Sequence, residues 1–164
     1  RKFKQMSILD FLTWGCNEIK KIKETVRTSV CLITNEDFLE TELPFTLAEI
    51  ETLDEIGTDP YWGERRGAEL DAYLDGDFSK SCDILKEIEK KYGKQTHLWI
   101  KNFLVREGTE QAMGRAVDIA VQKGIDNVMA WSYKGTRYMT KLACDNPDLV
   151  WEILLDRFAS YQNH

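Results

Sequence analysis

The chain has 164 residues, of which 43% are hydrophobic and 30% charged, and its formal net charge is −6. This length suffices for one buried core, and the acidic balance without a basic face argues against nucleic acid as a partner. No apolar run approaches the roughly 18 residues of a membrane helix, so no membrane partner is expected either.

The first half of the chain predicts a helix, a strand, a short helix and a second strand. Residues 6–23 carry apolar side chains at helical spacing, with Ser7 as the expected N-cap. Residues 28–34 are rich in β-branched side chains and predict a strand. A polar loop over 35–44 and a short helix from about position 46 lead into a second strand at 53–58.

The second half repeats the alternation of helix and strand. Residues 79–92 predict a helix that Gly93 ends, and residues 97–105 predict the third strand. A helix over 110–123 precedes the fourth strand at 127–133. Two helices are expected at the end of the chain, over 136–144 and 148–161.

This alternation favours parallel strands joined by helical crossovers, and hence an α/β fold. We predict one domain with a leading helix over 1–24, four strand units over 25–135 and C-terminal helices over 136–164. The fold is either half of a closed barrel, an open α/β sheet, or a half-barrel that dimerises to cover its strand edges.

The alternation of side-chain directions along each strand, here called strand parity, predicts an unusual surface at the C-terminal strand ends. Alternate residues of a helix-covered parallel strand face the helices and must be apolar, which leaves Asp59, Lys101, Trp131 and Tyr133 on the other side. An unpaired buried Lys or Asp is costly, so these side chains need partners, water or a ligand. The alternative interpretation is a structural Asp59–Lys101 pair, with Trp131 as a core residue.

Neighbouring positions extend this surface into a candidate binding site. Aromatic faces stack well on the apolar C–H faces of sugar rings, so a carbohydrate or another polyhydroxylated small molecule is the expected ligand. Asn102 replaces Lys101 on this surface if a bulge shifts the third strand. The further candidate ligand contacts are Glu36, Tyr61, Trp62, Trp99 and Asn102.

The cysteines and histidines predict no metal and no cofactor. Cys16, Cys31, Cys82 and Cys144 lie far apart in apolar stretches and form no CxxC motif, so we expect free thiols. Free thiols favour a cytoplasmic location. His97 and His164 are the only histidines of the sequence.

Two segments resemble barrel glycoside hydrolases. Residues 124–133 resemble the last strand of these enzymes, where a Trp often floors the sugar subsite, and Trp131 occupies that position. Residues 53–62 resemble a sixth strand that ends in a substrate-contacting Asp or Tyr, as in chitinase-like barrels. The resemblance covers residues 28–135 and implies the C-terminal half of a (β/α)8 barrel, a fold of about 250 residues when complete.

The resemblance also implies what this half lacks. Such hydrolases place an acidic residue at the end of strand four, which would precede Arg1, and many place a second at strand seven, where this chain has Lys101 or Asn102. Asp59 is then expected to position or polarise the substrate and Lys101 to bind a carboxylate or hydroxyl. The general acid would come from outside this chain, which alone is expected to be inactive.

Three functional hypotheses follow. The first is a carbohydrate-active, glycoside hydrolase-like protein, and the second is a non-catalytic module that binds carbohydrate or another small molecule. The third is a half-barrel that functions as a structural dimer. The expected protein partner is either the missing N-terminal half or a second copy that covers the exposed strand edges.

Overall fold

Four parallel strands and the helices that connect them form the structure, a computed structural model that describes residues 2–139 and 141–161. The elements in chain order are α1 (Lys2–Ile22), β1 (Ser29–Ile33), α2 (Glu36–Leu39), α3 (Leu43–Ala48), β2 (Glu55–Asp59), α4 (Gly67–Tyr73), a π-helical turn (Leu74–Phe78), α5 (Ser79–Tyr92), β3 (Gln95–Lys101), α6 (Gln111–Gln122), β4 (Val128–Trp131), a 3-10 turn (Tyr133–Thr136) and α7 (Pro147–Tyr161).

The sheet has the order β1-β2-β3-β4, and every neighbouring pair is parallel. Helices cover one face, where Ile56, Leu98 and Ile100 are fully buried. The opposite face is open, and Ile33 on it is 72% exposed. The predicted α/β fold of four strand units is therefore confirmed.

The core lies between the sheet and helices α5 and α6. Helical spacing places Leu85 and Ile88 of α5 on one side, and both are fully buried, as are Met113 and Val117 of α6. Burial of such side chains contributes about 1.5–3 kcal/mol each. Gly93 ends α5 in a left-handed conformation, φ 66°, and its N–H donates to the Glu89 carbonyl, as the sequence predicts.

Gly57 in β2 leaves room on the open face for a side chain of the neighbouring strand β3. Gly57 lies beside His97 in the parallel register, and the His97 ring covers the glycine. A Cβ atom at position 57 would lie 2.0 Å from ring atoms of His97. The His97 ring in turn meets Trp99 edge to face, with centroids 6.4 Å apart.

Several predicted elements differ from the structure. The loop predicted over 35–44 contains α2, because the Asn35 side chain accepts from the backbone N–H groups of Asp37 and Phe38 and starts a helix. Helix α4 was not predicted. Ser7 lies inside α1 and its hydroxyl donates to the Phe3 carbonyl at 3.0 Å, so it is not the N-cap.

The strand ends also differ from their predicted positions. Strand β3 ends at Lys101 and β4 at Trp131, earlier than predicted. The helix predicted over 136–144 is absent from its described part: Thr136 has a positive φ of 53°, which an α-helix does not accept, and residues 137–139 and 141–144 form turns and irregular structure. Position 140 lies outside the described residues.

Two further helices pack on the helices that cover the sheet. α1 packs against α3, and α7 packs against α6. In the described part of the chain, no helix has the length and apolar character to cross a membrane. The four cysteines are free thiols, and only Cys31, on the open face, is exposed.

Candidate functional site

A cavity of about 360 Å³ lies on the open face of the sheet, toward the C-terminal ends of the strands. All four strands or the loops that follow them contribute to it, so the parallel arrangement itself brings its walls together. The lining residues are Cys31, Asp59, Tyr61, Trp99 and Trp131. Four of them were predicted from the sequence, and Cys31 was expected only to pack as a small hydrophobe.

Asp59 is the single carboxylate of this cavity. It ends β2 beside Ile33, and its Oδ1 accepts from the Thr34 backbone N–H at 3.3 Å. Desolvation raises the pKa of Asp59, and the Thr34 hydrogen bond opposes that rise. No Lys or Arg among residues 2–139 and 141–161 forms an ion pair with it, and its hydrogen bond comes from the Thr34 backbone.

The aromatic walls are held by a residue that does not line the cavity. The Phe103 ring meets Trp131 edge to face at a centroid distance of 4.9 Å and Tyr61 at 5.0 Å. Trp131 remains 39% exposed and so presents indole surface to solvent. Phe103 was not among the predicted contacts, although it follows Trp99 and Lys101 of β3 at the alternate spacing that places side chains on one side of a sheet.

The hydroxyl and thiol of the cavity stay protonated near neutral pH. Desolvation, with the Asp59 carboxylate nearby, raises the pKa of Tyr61 well above its ordinary value. The same two causes raise the pKa of Cys31 to about 12. Tyr61 is therefore a hydrogen-bond donor, and Cys31 is a poor nucleophile because its thiolate is scarce.

Lys101 lies behind the cavity wall and not in it. Its side chain is 2% exposed, and its Nζ donates to the Gly63 carbonyl and lies 5.6 Å from the ring centroids of Trp62 and Phe103. Desolvation lowers the pKa of Lys101 to about 8, and Glu64 opposes this shift. The described residues contain no Asp59–Lys101 ion pair, so that structural alternative is wrong.

Two predicted aromatic contacts also lie outside the cavity. Trp62 is 1% exposed and buried in the core, because the loop after β2 folds back over Lys101. Tyr133 is in the 3-10 turn and is exposed, and its ring packs edge to face on Trp151 at 5.1 Å. Both positions are corrections to the predicted arrangement of ligand contacts.

The two remaining predicted contacts are placed elsewhere. Asn102 is fully buried and its Nδ2 donates to the Ser132 carbonyl, so it fixes the peptide after Trp131; its buried Oδ1 lacks a hydrogen-bond partner within the described residues. Glu36 lies in the first turn of α2, at a separate surface depression with Lys4 and Asn35. Neither residue lines the cavity of Asp59.

An arginine ties the loops beside the site together. Arg106, in the loop after β3, donates to Glu64 in the loop after β2 at 3.0 Å and to Asp145, beyond β4, at 3.3 Å. The Asp145 carboxylate also accepts from the Glu107 backbone N–H at 3.0 Å. Three loops at the C-terminal strand ends are thereby fixed to one another.

The chemistry that this cavity supports is stacking and hydrogen bonding. It offers three aromatic side chains, one carboxylate, one hydroxyl donor and no cation. No cluster of three metal-ligating side chains occurs in the part of the chain that the structure describes. Hydrolysis by paired carboxylates needs a second acid within about 5–9.5 Å, and the cavity lining does not provide one.

Comparison with known proteins relates the fold to barrel enzymes. No family model and no curated protein sequence matches the chain. A solved endo-beta-1,4-mannanase from Thermotoga petrophila matches with a TM-score of 0.61 and 15% identity, covering 96% of this chain and 41% of that chain. A putative alpha-L-fucosidase from Bacteroides thetaiotaomicron matches with a TM-score of 0.58 and 16% identity, covering 94% of this chain and 49% of that chain.

At these identities the likeness concerns the fold alone. The chain spans less than half the length of each of these two structures, which are TIM-barrel enzymes. Its four parallel βα units thus have the architecture of half a (β/α)8 barrel, as the sequence predicts.

Proposed function

We propose that this half-barrel is the substrate-binding half of a carbohydrate-active protein and that the cavity at Asp59 and Trp131 binds a sugar ring. The observation that carries the proposal is the convergence of aromatic side chains and one unpaired carboxylate at the C-terminal ends of parallel strands. Active sites of barrel enzymes lie at that end. The two structural neighbours described as a mannanase and a fucosidase agree with a sugar ligand.

Stacking on Trp131 provides the apolar part of binding. The apolar C–H face of a pyranose covers an indole face, and burial of apolar surface contributes about 25 cal/mol per Å². Phe103 holds the indole in place, so little side-chain entropy is lost on binding. A rigid aromatic floor is therefore better suited to a sugar than a mobile one.

Asp59 and Tyr61 provide the polar part. A carboxylate accepts hydrogen bonds from sugar hydroxyls, each contributing about 1.5–3 kcal/mol because the acceptor is charged. The protonated Tyr61 hydroxyl donates to a ring or hydroxyl oxygen. Because no cation lines the cavity and Lys101 is held by the Gly63 carbonyl, uronic and other acidic sugars are disfavoured.

Catalysis requires a contribution from outside the described residues. Asp59 positions or polarises the sugar, and the general acid belongs to the part of the barrel that completes the sheet. A non-catalytic sugar-binding module is the second candidate, and the observation that favours it is the single carboxylate of the cavity.

Ligand titrations test the proposal directly. Neutral mannose- and fucose-containing oligosaccharides are added to the full chain, and binding is followed by tryptophan fluorescence and saturation-transfer NMR. We expect Trp131→Ala and Asp59→Asn each to weaken binding about tenfold or more. Trp14→Ala is the matched control, because Trp14 is 61% exposed on α1, away from the cavity. Binding that survives both cavity variants unchanged would contradict the site assignment.

A further inference from the structure

The cavity of Asp59 combines aromatic walls with a negative charge. Tyr61, Trp99 and Trp131 supply the aromatic walls, and Asp59 is the only carboxylate among the described residues that line the cavity. Cys31 and Tyr61 both keep their protons near neutral pH, because desolvation and the Asp59 carboxylate raise their pKa values. The described lining therefore carries one negative charge and no positive charge.

The Asp59 carboxylate has lost part of its hydration without gaining a cation. Desolvation is the largest cause of its raised pKa, and the backbone N–H groups of Thr34 and of Asp59 itself oppose the rise. No Lys or Arg of the described chain is among these causes. An opposite charge at contact distance stabilises a partly desolvated anion more than a neutral hydroxyl does.

Lys101 is not the counter-ion of Asp59, although both residues lie at C-terminal strand ends. The Lys101 side chain is 2% exposed, and its Nζ donates to the Gly63 carbonyl. The same Nζ lies 5.6 Å from the ring centroids of Trp62 and Phe103. These contacts hold the ammonium behind the wall, so the cavity keeps its negative charge.

The aromatic walls favour the same kind of ligand as the carboxylate. The face of an aromatic ring has a negative electrostatic potential and attracts a cation within about 6 Å of the ring centroid, with Trp the strongest of the aromatic side chains. Phe103 meets Tyr61 and Trp131 edge to face, at centroid distances of 5.0 and 4.9 Å, and so holds two of the walls in place. Aromatic rings arranged around a cavity are the usual receptor for a quaternary ammonium group.

We infer that the cavity selects a ligand with a positively charged nitrogen, a protonated amine or a quaternary ammonium group, which contacts both Asp59 and the aromatic walls. The identity of the ligand's scaffold rests on the proposed function: if the ligand is a sugar, it is an amino sugar with a free amine. A neutral pyranose stacks on Trp131 but leaves the Asp59 charge without a counter-ion. The cavity volume of about 360 Å³ is small for a ligand site, which suits one ring or one ammonium group.

Calorimetric titrations of the full chain with matched ligand pairs test the inference. Glucosamine is compared with glucose and with N-acetylglucosamine, which have the same ring and no charge. Choline is compared with dimethylbutanol, its uncharged isostere in which a carbon atom replaces the nitrogen. At constant ionic strength, we expect each cation to bind about tenfold or more tightly than its neutral partner.

Two variants show which groups carry the preference. Asp59→Asn removes the charge and keeps the Oδ1 that accepts from Thr34, so the preference for glucosamine over glucose should fall about fivefold or more. Tyr61→Phe is the matched control, because it keeps the ring and removes only the hydroxyl. Its preference for choline over dimethylbutanol should stay within about twofold of the parent value.

The outcomes separate this inference from the proposed function. If neither cation binds more tightly than its neutral partner, the inference is wrong, and sugar binding on its own would leave the proposed function standing. If choline binds more tightly than dimethylbutanol and no sugar binds, the cation site is supported and the proposed function is contradicted. A preference for both cations that Asp59→Asn leaves unchanged would overturn the inference, because the charge would then come from elsewhere.

Discussion

The close contact between Gly57 and His97 predicts a large effect for a small substitution. In Gly57→Ala the added Cβ would lie 2.0 Å from the His97 ring, so the ring or β2 must move by more than 1 Å to reach ordinary contact. The ring is 4% exposed and meets Trp99 edge to face, which restricts its movement. We expect a loss of about 2 kcal/mol in the free energy of unfolding, or roughly 4–8 °C in Tm.

Urea and thermal unfolding of matched variants measure this effect. Gly15→Ala in α1 is the control: its Cβ meets no atom within 4 Å, so helix propensity alone stabilises it by about 0.5–1 kcal/mol. His97→Ala in the Gly57→Ala background should recover part of the loss, which a double-mutant cycle measures as coupling of about 1 kcal/mol or more. A Gly57→Ala protein as stable as the parent would refute the argument from crowding.

Three further predictions concern titratable groups. Burial lowers the pKa of Lys101 in the folded protein to about 8, so the unfolded chain binds more protons between pH 8 and 10.5. This group therefore makes the free energy of unfolding rise with pH in that window, by about 3 kcal/mol at most. The difference between the unfolding curves of the parent and of Lys101→Met measures this pH dependence. The Lys20 ammonium, with Thr28, lowers the pKa of Asp54 to about 2, so the Asp54 carboxylate stabilises the fold above about pH 4 and loses this effect as pH falls toward 2. If Asp54→Asn leaves both the loss of stability at acid pH and the amide hydrogen exchange of α1 unchanged, the ion pair does not anchor the helix. Cys31, although exposed, should react with iodoacetamide at neutral pH about tenfold more slowly than a free thiol, because its pKa is raised. A mass-spectrometric time course in which Cys31 reacts as fast as a free thiol would contradict the raised pKa.

Strand parity was the part of the site that the sequence could predict. The helices require apolar partners, so Leu98 and Ile100 had to face them and Trp99 had to face away. Parallel strands end at one edge of the sheet, and this brought Asp59 and Trp131 to one cavity. Both inferences depend on local pattern alone, and the structure agrees with them.

The predictions that were wrong concern residues at or beyond the C-terminal ends of the strands. Parity was extended to Tyr133, but positive φ values at Lys134 and Gly135 turn the chain away after Trp131. Trp62 was predicted as a ligand contact, yet the loop folds back and buries it. Lys101 does point to the predicted side, but long-range packing against Phe103 and the Gly63 carbonyl decides where its ammonium ends. Such contacts depend on tertiary structure, which a local pattern does not encode.

The shared contacts of Phe103 make the spacing of two cavity walls depend on one half-buried ring. Since that ring touches both Tyr61 and Trp131, the two walls cannot move apart or together independently. A shorter side chain at position 103 would let both walls relax inward, and a larger one would spread them. On the proposed sugar-binding role, substitutions at position 103 would then change the selectivity for ring size through a residue that does not line the cavity.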